Sequence, residues 1–278
     1  MDKRNDVTIL GAGPAGIAAA IYLKRAGCTP LVIERDRFGG LLRQAFLVEN
    51  YPGFPRGITG VQLVEQMGEQ LQGLGISMTK AEVTHVTKEN ETYRMKTNQG
   101  WLESPVIIIA TGTHPRKIEI NGSAFLENTR LFYDPFLLPL KAQKEKKKVI
   151  VIGGGDIAFD YTMTLLKWGY LVTLLSRSEP TCLPLLQDRV YKNGAKVLLQ
   201  CVAEEIKEHT SHLQIYCQKD NQKIDLPADF LLVACGRVPN VSFLDPCLKE
   251  CLESPGCFPQ TVHPGLFVAG DVIRGTYR

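Results

Sequence analysis

What this sequence lacks narrows its chemistry first. Its eight cysteines stand at positions 28, 182, 201, 217, 235, 247, 251 and 257, and no two of them are separated by two residues. A Cys-x-x-Cys redox dithiol and a zinc knuckle are both excluded by that spacing. No apolar run approaches the ~18 residues that span a bilayer; the longest candidates, Val106–Ala110 and Leu231–Cys235, are strand-sized. Net charge is only +3, which argues against nucleic acid as a partner and against strong attraction to a membrane surface. The first strand-like run, Val7-Thr8-Ile9-Leu10, begins almost at the N-terminus and leaves no room for a signal peptide, so a cytoplasmic protein is expected. Most of the cysteines fall inside apolar runs, where a reduced thiol acts as a small hydrophobe.

With 278 residues the chain has room for about two domains. Two segments read alike: apolar strand, glycine-rich turn, amphipathic helix, second strand. The first runs through Val7–Leu10, Gly11–Gly16, a helix over Ile17–Ala26 and Pro30–Glu34; the second through Lys148–Ile152, Gly153–Gly155, a helix over Ile157–Trp168 and Leu171–Leu175. Glycines 27 and 169 follow the two helices, where a residue that tolerates positive φ ends a helix well. Such repeats predict parallel sheets. Between them come a Gly- and Pro-rich loop over Asn50–Gly60, a helix around Val61–Leu74, and alternating strands at Glu82–Val86 and Thr92–Thr97. The charged run Lys141–Lys148 reads as a solvated face, with docking of an acidic electron-transfer protein as the sharper alternative.

Gly11-x-Gly13-x-x-Gly16 lies between a strand and a helix, the context a dinucleotide-binding turn requires. The first glycine permits the tight turn, the second lets a pyrophosphate approach the backbone, and the third packs helix on strand. Glu34 ends the next strand, where its carboxylate can accept hydrogen bonds from a ribose diol. The second fingerprint is Gly153-x-Gly155-x-x-Ala158, and its strand ends in Ser176-Arg177-Ser178 instead of an acid. Hydroxyls and a guanidinium suit a 2′-phosphate, so NADPH is expected over NADH. Ala110-Thr111-Gly112 after a buried strand either brings backbone to a cofactor or lets the chain leave the sheet. Gly270-Asp271 either meets a ribityl hydroxyl or caps the next helix.

At this point the sequence resembles the low-molecular-weight thioredoxin reductases and their relatives among the pyridine-nucleotide-linked flavin reductases. The matching stretches are GAGPAG (11–16), FGGLL (38–42), VENYPGFP (48–55), ATG (110–112), GGGDIA (153–158), GRVPN (236–240) and FVAGDV (267–272), in family order. The resemblance implies an α/β fold of two Rossmann-like dinucleotide-binding domains with three-layer ββα architecture, the second inserted into the first. It predicts an FAD domain over 1–116 and 244–278, a nucleotide domain over 117–243, and a homodimer. Gly11, Gly13, Pro14, Ala15, Gly16, Glu34 and Arg35 would hold the ADP half of FAD, with Val83 near the adenine. Gly40, Leu42, Asn50, Ala110, Thr111, Gly112, Gly270 and Asp271 would lie along the ribityl chain and flavin. Gly153, Gly155, Asp156, Ser176 and Arg177 would line the NADPH (or NADH) site.

Three features depart from the family pattern. Where thioredoxin reductases carry their dithiol, this chain reads Phe132-Tyr133-Asp134-Pro135-Phe136-Leu137. The arginine-rich NADPH signature is reduced to Ser176-Arg177-Ser178. Relatives continue past the position of Tyr277-Arg278 into a helix whose dipole would face the flavin. Cys247, Cys251 and Cys257 cluster near the C-terminus and read as structural or incidental thiols, with an alternative disulfide as the sharper possibility. His114 reads as a surface residue. The function expected is NAD(P)H oxidation through FAD toward a small-molecule or small-protein acceptor such as ferredoxin, a quinone, oxygen or a low-molecular-weight disulfide. The alternatives are an electron-transfer subunit fed by a protein donor, and a non-catalytic FAD-binding protein.

Overall fold

The computed structural model describes residues 5–139, 147–253 and 263–273. They form two compact units, one of residues 1–43, 58–114 and 238–278, the other of 44–57 and 115–237. The boundaries expected from the sequence were 116/117 and 243/244; in the structure the segment 44–57 groups with the second unit. Its attachments explain why. The Phe46 N–H donates to both carboxylate oxygens of Asp160 at 3.2 and 3.0 Å, and the Tyr161 hydroxyl donates to Gln44 Oε1 at 2.5 Å. Arg189 pairs with Glu49, its second nitrogen at 3.0 Å.

The first unit is built on a five-stranded parallel sheet. Strand β1 (Val7–Leu10) is central, flanked by β2 (Pro30–Glu34) and then β3 (Ser77–Lys80) on one side. Helix α1 (Pro14–Arg25) connects β1 to β2, and α2 (Gly60–Gly73) leads into β3. Proline at the first turn of α1 costs no hydrogen bond, and Lys24 and Arg25 suit its negative end. Helix α2 starts with a capping box, in which the Thr59 and Gln62 side chains serve each other's backbone. A meander of β4 (Val83–Glu89), β5 (Thr92–Thr97) and β6 (Gly100–Ser104) follows, and β7 (Ile107–Ile109) returns to the parallel sheet beside β1.

Alternation along the buried strands sorts the core into two layers. Val7, Ile9 and Val32 pack with Ile17, Ala20, Ile21 and Leu71 of the helices. Leu10, Leu31, Ile33, Ile107 and Ile109 face the other way, onto Val86, Tyr93 and Met95 of the meander. Meander, sheet and helices are thus the three layers expected.

Short strands β8 (Thr113–Pro115) and, later, β17 (Arg237–Pro239) stand where the chain passes from one unit to the other. The second unit repeats the plan. Its strands are β9 (Leu131–Phe132), β10 (Lys148–Ile152), β11 (Leu171–Leu175), β12 (Lys196–Leu198) and β16 (Phe230–Val233), all parallel, in the order β12-β11-β10-β16-β9. Helices α3 (Asp156–Lys167) and α4 (Pro184–Lys192) form one outer layer. The other is the antiparallel meander β13 (Cys201–Glu208), β14 (Leu213–Lys219) and β15 (Gln222–Ala228). Its two-residue turn, Asp220-Asn221, has positive φ at both positions (49° and 62°), the geometry that tight hairpins demand.

Back in the first unit, α5 (Pro246–Glu253) buries Leu248 against the meander face, and β18 (Leu266–Val268) pairs with β7. Cys247 and Cys251 sit one turn apart on α5, and the Cys251 thiol donates to the Cys247 carbonyl at 3.1 Å. Cys257, most of the lysine-rich run and Tyr277-Arg278 lie outside the described residues. Lys147, at the end of that run, pairs with Asp229 at 3.0 Å. Among the described residues no helix is long and apolar enough to cross a membrane.

Candidate functional site

At the carboxyl end of β1, Gly11 has φ +107°, and a Cβ there would overlap the Ala110 carbonyl. A Cβ on Gly16 would run into the Gly11 carbonyl. Gly13 is the opposite case: a Cβ there would meet nothing within 4 Å. Two of the three glycines are therefore required by the protein's own backbone, and the third faces open space. That is the arrangement a pyrophosphate needs. Gly13 caps α1 without any side-chain hydrogen bond, and the first turn holds no acid, so the helix's positive end stays available to an anion.

Of the other predicted residues, Glu34, Gly40 and Gly270 lie against this turn. Glu34 accepts the Ala12 N–H at 2.8 Å through one oxygen and the Asp36 N–H at 2.9 Å through the other. Each carboxylate oxygen retains a second lone pair for a ribose hydroxyl. A Cβ at Gly40 would lie 3.3 Å from Gly13 Cα, and one at Gly270 would lie 2.7 Å from Ala15 Cβ. Gly270 and Asp271 open a 3-10 turn, Gly270–Val272, with Asp271 inside it. Leu42 lies in a 3-10 turn, Gly40–Gln44, and Arg35 pairs with Glu82, the neighbour of Val83, at 3.6 Å on the surface. Asn50 is exposed and belongs to the segment 44–57 of the second unit.

Asn240 was not among the predicted site residues, though it ends the quoted GRVPN stretch. It accepts the Thr111 hydroxyl at 2.7 Å, returns a side-chain N–H to the Thr111 carbonyl at 2.9 Å, and donates its own N–H to the Gly112 carbonyl at 3.0 Å. Its Oδ1 also meets Nδ1 of His114 at 2.7 Å. His114 is otherwise exposed.

The second glycine turn is built on the same scheme. Gly153 (φ +153°) could not carry a Cβ, which would come within 2.5 Å of the Ala234 carbonyl and 2.9 Å of Ala158 Cβ. Gly155 has almost free space and caps α3, with Asp156 in its first turn. Ser176 lies against this turn, where a Cβ on Gly154 would come within 2.4 Å of its Oγ. It is buried at 2% exposure, and its hydroxyl donates to the Ser178 carbonyl at 2.8 Å. The hydroxyl's proton closes a local turn. Arg177, next to it, is exposed. The following segment is fastened to the glycine turn, with the Thr181 N–H on the Gly154 carbonyl at 2.8 Å and the Leu183 N–H on Asp156 at 3.1 Å. Nothing in the sequence marked that attachment.

The stretch Phe132–Leu137 is filled by packing. Phe132 is buried, the Tyr133 hydroxyl accepts the Ile118 N–H at 3.1 Å, and Asp134 caps the 3-10 turn Pro135–Leu137. Burial pushes the Cys182 thiol up to about 11 and Cys217 to about 12, so both stay protonated and unreactive at neutral pH. No group of three or more metal-ligating side chains occurs among the described residues.

Residues 5–278 match the family model described as pyridine nucleotide-disulphide oxidoreductase. Thioredoxin reductase 1 of Saccharomyces cerevisiae is 31% identical over 292 residues, covering 99% of this chain and 92% of its own. Thioredoxin reductase of Treponema pallidum is 31% identical over 297 residues, covering 100% and 92%. The crystal structure of Lactococcus lactis thioredoxin reductase superposes with a TM-score of 0.88 at 28% identity, covering 99% of this chain and 92% of that one. The two glycine turns fit the cofactors of this group, FAD and a nicotinamide dinucleotide (NADPH or NADH). The chain belongs to the pyridine nucleotide-disulphide oxidoreductase family and is thioredoxin reductase-like.

Proposed function

We propose that this chain is an FAD-dependent NAD(P)H oxidoreductase that delivers electrons to an acceptor without a Cys-x-x-Cys relay of its own. When bound, the nicotinamide supplies a hydride and the flavin accepts it. The protein's part is to hold both in place: the Gly11–Gly16 turn, Glu34, Gly40 and Gly270-Asp271 for FAD, and the Gly153–Gly155 turn with Arg177 for the nucleotide. The observation that carries the reading is the pairing of two intact glycine turns with a chain in which no two cysteines have dithiol spacing. Disulfide exchange at the family's usual position has no thiols to use. The acceptor is then a small molecule such as a quinone, oxygen or a low-molecular-weight disulfide, or a small protein such as ferredoxin. By the same resemblance, we infer a cytoplasmic homodimer.

A specific observation favours a second reading. Ser176 is turned inward, and Thr181 and Leu183 fasten their segment to the second glycine turn. A nucleotide site weakened in this way would suit a flavoprotein reduced by a protein donor.

One experiment separates the two. Protein saturated with FAD is mixed anaerobically with NADPH and with NADH while the visible flavin absorption is followed. Bleaching by either nucleotide supports the first reading. Absence of bleaching with FAD demonstrably bound overturns it and favours the second. Once bleached, the protein is offered a low-molecular-weight disulfide, a quinone, ferredoxin and thioredoxin in turn. Reoxidation fastest with thioredoxin would overturn the proposal about the acceptor.

A further inference from the structure

Asn240 closes the Ala110–Thr111–Gly112 turn from one side, and the roles of its atoms are fixed. Nδ2–H donates to the Thr111 carbonyl at 2.9 Å, so Oδ1 is the atom presented to His114 at 2.7 Å. An amide oxygen can only accept, so the proton on that contact belongs to His114 Nδ1. On the main chain, Asn240 takes the Thr111 hydroxyl at 2.7 Å and gives its N–H to the Gly112 carbonyl at 3.0 Å.

The consequence lies in the donors that remain. The Thr111 and Gly112 carbonyls and the Thr111 hydroxyl are all engaged by Asn240. The N–H groups of Thr111 and Gly112 meet no acceptor among the described residues, and Gly112 sits at φ +61°. Successive open amides around a left-handed residue form a concavity for an electron-rich atom. The turn also belongs to the wall of the first glycine loop: a Cβ on Gly11 would overlap the Ala110 carbonyl and lie 3.1 Å from Thr111 Cα.

We propose that Asn240 is a positioning residue of the flavin site, holding this turn so that it offers only N–H donors to an acceptor edge of the cofactor. Such an edge becomes more electron-rich on reduction, so oriented donors stabilise the reduced form more than the oxidised one. The inference rests on the reading of the first site as the FAD site.

The test uses the full chain loaded with FAD and reads two quantities, the FAD dissociation constant and the midpoint potential of the bound flavin. Asn240→Ala frees the Thr111 carbonyl and lets the turn reorient. The expected result is at least a tenfold loss of FAD affinity and a tenfold shift of the reduction equilibrium toward oxidised flavin, about 30 mV for a two-electron couple. Asn240→Asp keeps the shape and the contact with His114 but lacks the donor to Thr111. It serves as the second variant if the alanine form does not fold, and its potential is expected to fall at least as far. His114→Ala leaves the three bonds to Thr111 and Gly112 in place and is expected to match the parent in affinity. Folded Asn240 variants with unchanged affinity and potential overturn the proposal, as does a His114→Ala variant as impaired as Asn240→Ala. If the unmodified protein takes up no FAD, the reading of the site itself fails; if it does and the variants match it, only the role of Asn240 fails.

Discussion

Asp160 offers the most demanding quantitative test. It stands on α3 with its carboxylate turned toward the segment 44–57, where both oxygens take the Phe46 N–H. Burial pushes its pKa up from 3.8 to about 6, the Phe46 hydrogen bond pulling the other way without offsetting it. The native state therefore holds this proton more tightly than the unfolded chain. Between pH 3.8 and 6 the unfolded chain ionises first, so stability falls as pH rises and then levels off above about 6. At 1.36 kcal/mol per pH unit the gap corresponds to about 3 kcal/mol at pH 8, and about half of that at pH 5. Asp160→Asn cannot ionise, yet its amide oxygen still accepts from Phe46. The variant is expected to be more stable than the parent at pH 8 by up to about 3 kcal/mol, several degrees in Tm at roughly 2–4 °C per kcal/mol. The advantage should halve at pH 5. Urea unfolding followed by circular dichroism at the two pH values measures both quantities. A variant that is less stable by the same amount at both would show that the carboxylate's charge is favourably paired, and the reasoning from burial would be wrong.

The glycine turn makes a paired prediction. Gly13→Ala meets no protein atom and should leave Tm within about 1 °C while weakening FAD binding, whereas Gly16→Ala collides with the Gly11 carbonyl and should cost at least about 2 kcal/mol of stability even without cofactor. Thermal melts with and without FAD distinguish the two. Arg177→Ala should raise KM for NADPH about tenfold and leave KM for NADH within twofold, since only the 2′-phosphate needs the guanidinium; equal effects on both nucleotides in steady-state kinetics would remove Arg177 from that role. Glu49→Gln breaks an ion pair with Arg189 that holds the Glu49 carboxyl below the usual range. Because the pair lies at the surface, the loss should stay below about 1 kcal/mol in urea titrations and shrink further in salt.

The parts of this fold legible in the sequence are those with a strong local cause. Strands β1 and β10 are short apolar runs followed by glycines, and the glycines are legible because backbone geometry forbids anything else at 11, 16 and 153. Helix boundaries came within a few residues: α1 begins at Pro14 and not Ile17, because the first turn of a helix needs no apolar periodicity. The misses depend on side chains meeting across long sequence separations. Nothing near Phe46 indicates that its N–H will find Asp160, 114 residues away. Ser176 carried the right chemistry for a phosphate, and only the path of the next two residues shows its hydroxyl proton donated to Ser178. Asn240 was visible as part of a motif, but its four contacts with Thr111, Gly112 and His114 are tertiary.

The way the chain divides between its units also sets an order of events during synthesis. Every residue of the second unit has left the ribosome once Arg237 has, including the early segment 44–57. The first unit begins sooner and finishes later, because β7 must wait for Leu266–Val268 to cover its edge. For the time needed to make about 160 residues, on the order of 8–30 s at 5–20 residues per second, Ile107, Ile108 and Ile109 present an unpaired, wholly apolar strand edge. Such an edge is a template for pairing with other chains. The nascent protein is thus most prone to aggregate in the domain that carries its N-terminus, and a chaperone that shields β7 would protect it through that interval.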